Sequence, residues 1–146
     1  MKLQMPTNLS KEEMFYWKLQ NDKQWYIENF LYIRDKKSQL IKFKLNRAQN
    51  IVMKEIEKCE EEKRLKRFIV LKARQMGLST LFEGLIFQDT VNFPFKNSLI
   101  VAHEEPASIN LFNMSKLMYE SLPDVIRPMK KYNNGKILSF ENPENN

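Results

Sequence analysis

The sequence predicts an α/β fold of three layers, with a mostly parallel β-sheet between helices and a helical segment before it. Two short apolar runs, 67–71 and 98–102, have the composition of buried strands, and each leads into a segment with apolar residues at helical spacing. A basic turn that contains glycine joins the first run to its helix. Strands that alternate with helices in this way form βαβ crossovers, which place the strands parallel in one sheet.

Length and charge allow one domain with an anionic partner. The chain has 146 residues, 42% of them hydrophobic, which is enough for one core. Its 24 basic and 18 acidic residues give a net charge of +6, which suits nucleic acid but suits a generally solvated basic surface equally well. A single cysteine and a single histidine argue against a structural zinc site.

No membrane segment is expected. No apolar stretch approaches the ~18 residues that a membrane-spanning helix needs, and residues 1–10 lack the apolar centre of a signal peptide. The sequence therefore predicts a cytosolic protein.

The first elements are predicted to be helical. Ser10 and Glu13 have the spacing of a capping box, so a helix should begin there and break near Asn21 or Asp22. Its many aromatic residues predict packing against the rest of a domain, with stacking on nucleic acid bases as the alternative. Those residues are Phe15, Trp17, Trp25, Tyr26 and Phe30.

A basic connector and another helix follow. Residues 34–44 predict an irregular or extended basic segment. Asn46 can then cap a helix whose apolar stripe includes Ile56 and Cys59. Cys59 is expected to be a small core residue because it lies on that stripe.

The turn 72–80 has the features of a phosphate-binding loop. It connects a predicted strand to a helix N-terminus, where backbone N–H groups and the helix dipole favour an anion. Gly77 permits close backbone approach, and Ser79 or Thr80 offers a hydroxyl for nucleotide-bound Mg²⁺.

The loop departs from the pattern G-x-x-x-x-G-K-[ST] at two positions. Lys72 replaces the first glycine, and Leu78 replaces the phosphate-binding lysine. The cation for a triphosphate would therefore have to be Lys72 or Arg74. A basic loop before an ordinary helix is the alternative interpretation.

The remaining elements complete the alternation of strands and helices. A helix is predicted over residues 79–91 and a strand over 98–102. A further amphipathic helix should end near Leu122 and Pro123, and residues 135–140 predict a strand or the first arm of a hairpin.

Three segments in this order resemble the N-terminal ATPase of a tailed-phage terminase large subunit, over about residues 27–140. The segments are 45–49, 69–80 and 100–103. Terminases of this type have a deviant Walker A motif in which the lysine precedes the loop, as Lys72 does, and an arginine lies inside it, as Arg74 does. The resemblance implies a helical lead-in over residues 1–44 and a P-loop NTPase-like partial domain over 45–146.

The resemblance also implies a nucleotide site that uses ATP and Mg²⁺. Gln49 corresponds to a glutamine that reads adenine. The N6 amino group of adenine can donate to the amide oxygen, and N7 can accept from the amide nitrogen. The phosphates would be held by the loop, and Ser79 would reach the nucleotide-bound Mg²⁺. The implied nucleotide-binding residues are Gln49, Lys72, Arg74, Gln75, Gly77, Ser79 and Thr80.

The function implied by the resemblance is ATP-driven packaging of double-stranded DNA into phage capsids. The partners would be double-stranded DNA, the portal protein and the small terminase subunit, in the host cytoplasm, for a phage or prophage protein. Glu104 and Glu105 follow the wrong strand to be the acidic pair that holds Mg²⁺ and orients water, and no other apolar run ends in such a pair. The nuclease segment of the family is also missing. The chain by itself is therefore expected not to hydrolyse ATP. The alternatives are a basic DNA-binding or interaction module without enzymatic activity, and a fragment of a helicase-like P-loop ATPase.

Overall fold

The computed structural model describes residues 6, 8–134 and 136–141, and most of these residues are helical. The described elements are α1 (Lys11–Asn21), α2 (Lys23–Phe30), β1 (Tyr32–Arg34), β2 (Leu40–Lys42), α3 (Arg47–Glu61), α4 (Leu78–Asn92), α5 (Glu105–Ser121), a 3-10 turn (Asp124–Ile126), β3 (Lys130–Asn133) and β4 (Leu138–Phe140). Among them, none combines the length and apolar character that a membrane-crossing helix requires.

The helix starts confirm the capping predictions. Ser10 and Glu13 form the predicted capping box at α1. Asp22 ends α1 and caps α2, because its carboxylate accepts the backbone N–H of Trp25 at 2.9 Å. Asn46 caps α3 as predicted. These signals are local in sequence, which is why they could be predicted.

Both sheets are small antiparallel pairs. Strand β1 pairs with β2, so the segment predicted as an irregular connector is a β-hairpin. Strand β3 pairs with the later β4, so the last predicted strand is the second arm of a hairpin and the prediction of a first arm is wrong. Gly135, the predicted start of that strand, lies outside the described residues.

The prediction of a three-layer fold with a mostly parallel sheet is wrong. In the described part of the chain the strands form only the two antiparallel pairs, and segments 67–71 and 98–102 contain no strand. The side chains of Ile69 and Leu71 are 103% and 101% exposed, and those of Leu99 and Val101 are 85% and 80% exposed. A strand is stable when a neighbour satisfies its backbone groups, and neither segment has such a neighbour in the described structure.

One hydrophobic core joins the N-terminal elements to α4 and α5. Its fully buried side chains come from both sides of residue 45, and they include Tyr26, Ile27, Leu31, Phe43, Leu81 and Met118. Cys59 is also buried, as predicted. Buried Gln88 of α4 adds a polar link, since its Nε2 donates to the carbonyl of Leu19 at 2.8 Å. The core thus fixes α4, and with it the loop that precedes α4.

Gly84 lets α4 lie close to the base of the first hairpin. A Cβ at this position would be 3.3 Å from Leu31 Cδ1 and 3.4 Å from Phe43 Cε1. The missing side chain therefore permits direct contact between the helix and these two buried residues.

Candidate functional site

The predicted phosphate loop is a tight turn that ends at the first residue of α4. Gln75 and Gly77 both have left-handed backbone conformations, with φ angles of 61° and 70°. Gly77 is the N-cap of α4. A Cβ on Gly77 would lie 2.9 Å from Nε2 of Gln49, so the φ angle favours glycine and a side chain here would displace the Gln49 amide.

The N-terminus of α4 has no side-chain cap. Gly77 has no side chain to cap the helix, and the N–H of Leu81 is the first to bond to the carbonyl of Gly77, at 3.1 Å. The backbone N–H groups of residues 78–80 precede that bond, so the helix itself gives them no acceptor. They lie at the positive end of a helix of 15 residues.

Two cations precede this helix in the sequence, and two hydroxyl side chains lie in its first turn. Lys72, Arg74 and Ser79 are exposed. In the described structure neither Lys72 nor Arg74 forms an ion pair. Thr80 differs, because its hydroxyl lies 3.9 Å from the sulfur of Met114 on α5. Ser79 is therefore the more accessible of the two hydroxyls.

Gln49 contacts this loop although 28 residues separate it from Gly77. Its Nε2 donates to the carbonyl of Gly77 at 2.7 Å, and its Oε1 accepts the backbone N–H of Asn46 at 2.8 Å. Asn46 Nδ2 adds a hydrogen bond to the carbonyl of Met76 at 3.2 Å. Gln49 is only 3% exposed. Each amide atom keeps one free hydrogen-bonding position, but adenine could reach it only if this buried side chain became more exposed.

Replacing Gln49 with alanine should destabilise the protein by about 1–3 kcal/mol, because the backbone groups of Asn46 and Gly77 lose their buried partner. Urea unfolding followed by circular dichroism measures this loss. Glu55→Ala, an exposed substitution on the same helix, is the matched control and should change stability by less than about 0.5 kcal/mol.

Nucleotide titrations of the same variant separate two roles for Gln49. If the amide positions the loop, Gln49→Ala should weaken ATP and GTP equally. If it reads adenine, ATP alone should weaken, by about ten- to a hundredfold. Unchanged stability with a loss confined to ATP would contradict the positioning role.

A buried carboxyl lies one helical turn beyond the loop. Glu83 is 2% exposed and accepts a hydrogen bond from the Ser115 hydroxyl of α5. Burial raises the pKa of the Glu83 carboxyl, and the Ser115 hydrogen bond opposes that rise. The carboxyl thus faces α5, where it joins the two helices.

Sequence reasoning did not identify Glu83 or the contact of Asn46 with the loop. A lone acidic residue within the apolar run 81–87 was the available signal for Glu83. The spacing of Asn46 predicts its role as a helix cap and gives no indication of its bond to Met76.

No protein-family model matches the chain, and no curated protein is similar to it at a significant level.

Proposed function

We propose that this chain binds ATP with Mg²⁺ at loop 72–77 and the N-terminus of α4, as the N-terminal ATPase part of a terminase-type motor that packages double-stranded DNA. The main support is the N-terminus of α4, which lacks a side-chain cap and whose N-cap residue accepts a hydrogen bond from Gln49. Lys72 and Arg74 precede this helix in the sequence and form no ion pair in the described structure. An anion site of this kind needs converging backbone N–H groups and a helix dipole. It does not depend on a parallel sheet.

Each loop residue has a specific role in the proposal. Lys72 and Arg74 neutralise phosphate charge, and the Ser79 hydroxyl meets the Mg²⁺ that the nucleotide carries. The left-handed conformations of Gln75 and Gly77 turn the backbone so that its N–H groups can face the phosphates. We expect binding without turnover, since the sequence has no apolar run that ends in an acidic pair.

The motor assignment rests on the resemblance of segments 45–49, 69–80 and 100–103 to terminase ATPases. Double-stranded DNA, the portal protein and the small terminase subunit are proposed as partners on that basis alone.

Calorimetric titration with MgATP tests the proposed site. Lys72→Ala and Arg74→Ala should each weaken ATP binding by about tenfold, because each removes a charge-assisted contact of about 1.5 kcal/mol at an exposed site. Lys54→Ala, which removes an exposed cation from α3, should leave the affinity unchanged.

Three results would contradict this proposal. The first is that the wild-type protein does not bind ATP. The second is that Lys72→Ala and Arg74→Ala bind ATP as tightly as wild type. The third is that Lys54→Ala weakens ATP binding as much as these two substitutions should. Sustained phosphate release by the purified chain would separately contradict the expectation that it lacks turnover.

A further inference from the structure

The first hairpin, residues 32–44, concentrates positive charge on a small exposed element. It contains five basic residues and a single acidic residue, Asp35. The basic residues, all of them exposed, are Arg34, Lys36, Lys37, Lys42 and Lys44. No other residue in the hairpin carries a charge, so the element has a net charge of about +4 at neutral pH.

The single carboxylate of the hairpin is used to shape its turn. Asp35 Oδ1 accepts the backbone N–H groups of Lys37 and Gln39, both at 2.8 Å. The Arg34 guanidinium donates to the carbonyl of Ser38 at 2.9 Å, which closes the turn further. The basic tip is therefore ordered before any partner binds, and this lowers the entropic cost of binding.

Most of the basic side chains are free to meet an external anion. In the described structure Lys36, Lys37 and Lys42 form no ion pair. Lys44 has one to Glu28, at 3.8 Å.

The register of the hairpin separates its two faces. Tyr32 lies opposite Lys42, and Arg34 lies opposite Leu40, so these four residues share one face. Ile33 and Ile41 lie on the other face, where Ile33 packs against the core. The cations of the strands thus project away from the core, as do the lysines at the tip.

We propose that this hairpin contacts the phosphate backbone of duplex DNA. A two-stranded β-ribbon fits the major groove of B-form DNA, and exposed cations on an ordered turn can meet the phosphates that border the groove. The inference deepens the proposed function, on which it rests for DNA as the polymer, and it names the surface that contacts DNA.

The hairpin fits duplex DNA better than two other polyanionic surfaces. A tip that enters a membrane needs apolar side chains, and residues 35–39 are all polar or charged. The major groove of duplex RNA is deep and narrow, so it does not admit a ribbon. The basic residues of the hairpin would therefore contact the phosphates that border the B-form groove.

Fluorescence anisotropy of a labelled 20-base-pair DNA duplex at several salt concentrations tests the assignment. Lys36→Ala/Lys37→Ala should weaken binding about tenfold and reduce the slope of log affinity against log salt by about 1.8, since each lost phosphate contact removes about 0.9. Lys11→Ala/Lys54→Ala causes the same change in net charge at exposed sites away from the hairpin, and it should leave the slope unchanged.

Four results would overturn the inference. They are no binding of wild type to the duplex, equal losses in the two double variants, tighter binding to anionic phospholipid vesicles than to DNA, and equal affinity for duplex RNA. MgATP titration of the hairpin variant separates the two proposals, because its ATP affinity should stay at the wild-type value. Hairpin-dependent DNA binding without ATP binding would refute the nucleotide site alone, and the reverse would refute the hairpin assignment alone.

Discussion

Phe43→Ala is expected to lower the free energy of unfolding by about 3–5 kcal/mol, which is the usual cost of removing a buried aromatic ring. Phe43 is 1% exposed, and its ring lies against Gly84 of α4. Its backbone N–H also donates to the carbonyl of Leu31 at 2.9 Å, which closes the base of the hairpin. The loss of the ring would leave a cavity between the hairpin and α4. Urea unfolding monitored by circular dichroism measures the change.

Leu40→Ala in the same hairpin is the control for this substitution. Leu40 is 51% exposed, so its truncation should cost less than about 0.5 kcal/mol. Similar losses for Leu40→Ala and Phe43→Ala would show that the hairpin does not pack on α4 through Phe43.

The helices could be predicted because their signals are local. The pairs Ser10 with Glu13 and Asn46 with Gln49 each place a cap and its reciprocal partner three residues apart, and the structure forms both boxes. Asp22 likewise marks the break between α1 and α2. Such bonds depend on a few neighbouring residues, so tertiary packing was not needed to find them.

The sheet could not be predicted in the same way, because an apolar run does not specify its pairing partner. Segments 67–71 and 98–102 have the composition of buried strands, but their side chains are largely exposed. The first hairpin was missed because its turn lacks the residues that usually signal a hairpin. This turn, residues 35–39, lacks glycine. It is held by a hydrogen bond that the Arg34 side chain donates and by two that the Asp35 carboxylate accepts.

The candidate site shows the same division between local and distant signals. The loop and its glycine follow from sequence spacing, and Gly77 has the positive φ angle that favours glycine. The expectation that Gln49 lies near the loop rests on the terminase resemblance. The spacing of apolar residues along the chain gives no indication of it. The bonds of the Gln49 amide to Gly77 and Asn46 depend on how α3 packs beside the loop, which sequence spacing does not determine.

The double substitution Ile69→Lys/Leu71→Lys is expected to leave the free energy of unfolding within about 0.5 kcal/mol per site, because both side chains are fully exposed. Leu81→Lys, at a fully buried position, should cost about 4 kcal/mol or more, since it places an unpaired charge in the core. The double variant should also stay monomeric at higher concentration, because exposed apolar segments without a pairing partner favour aggregation. Urea unfolding and light scattering measure the two effects. A double variant as unstable as Leu81→Lys would show instead that residues 69 and 71 are buried, as a strand within a sheet requires.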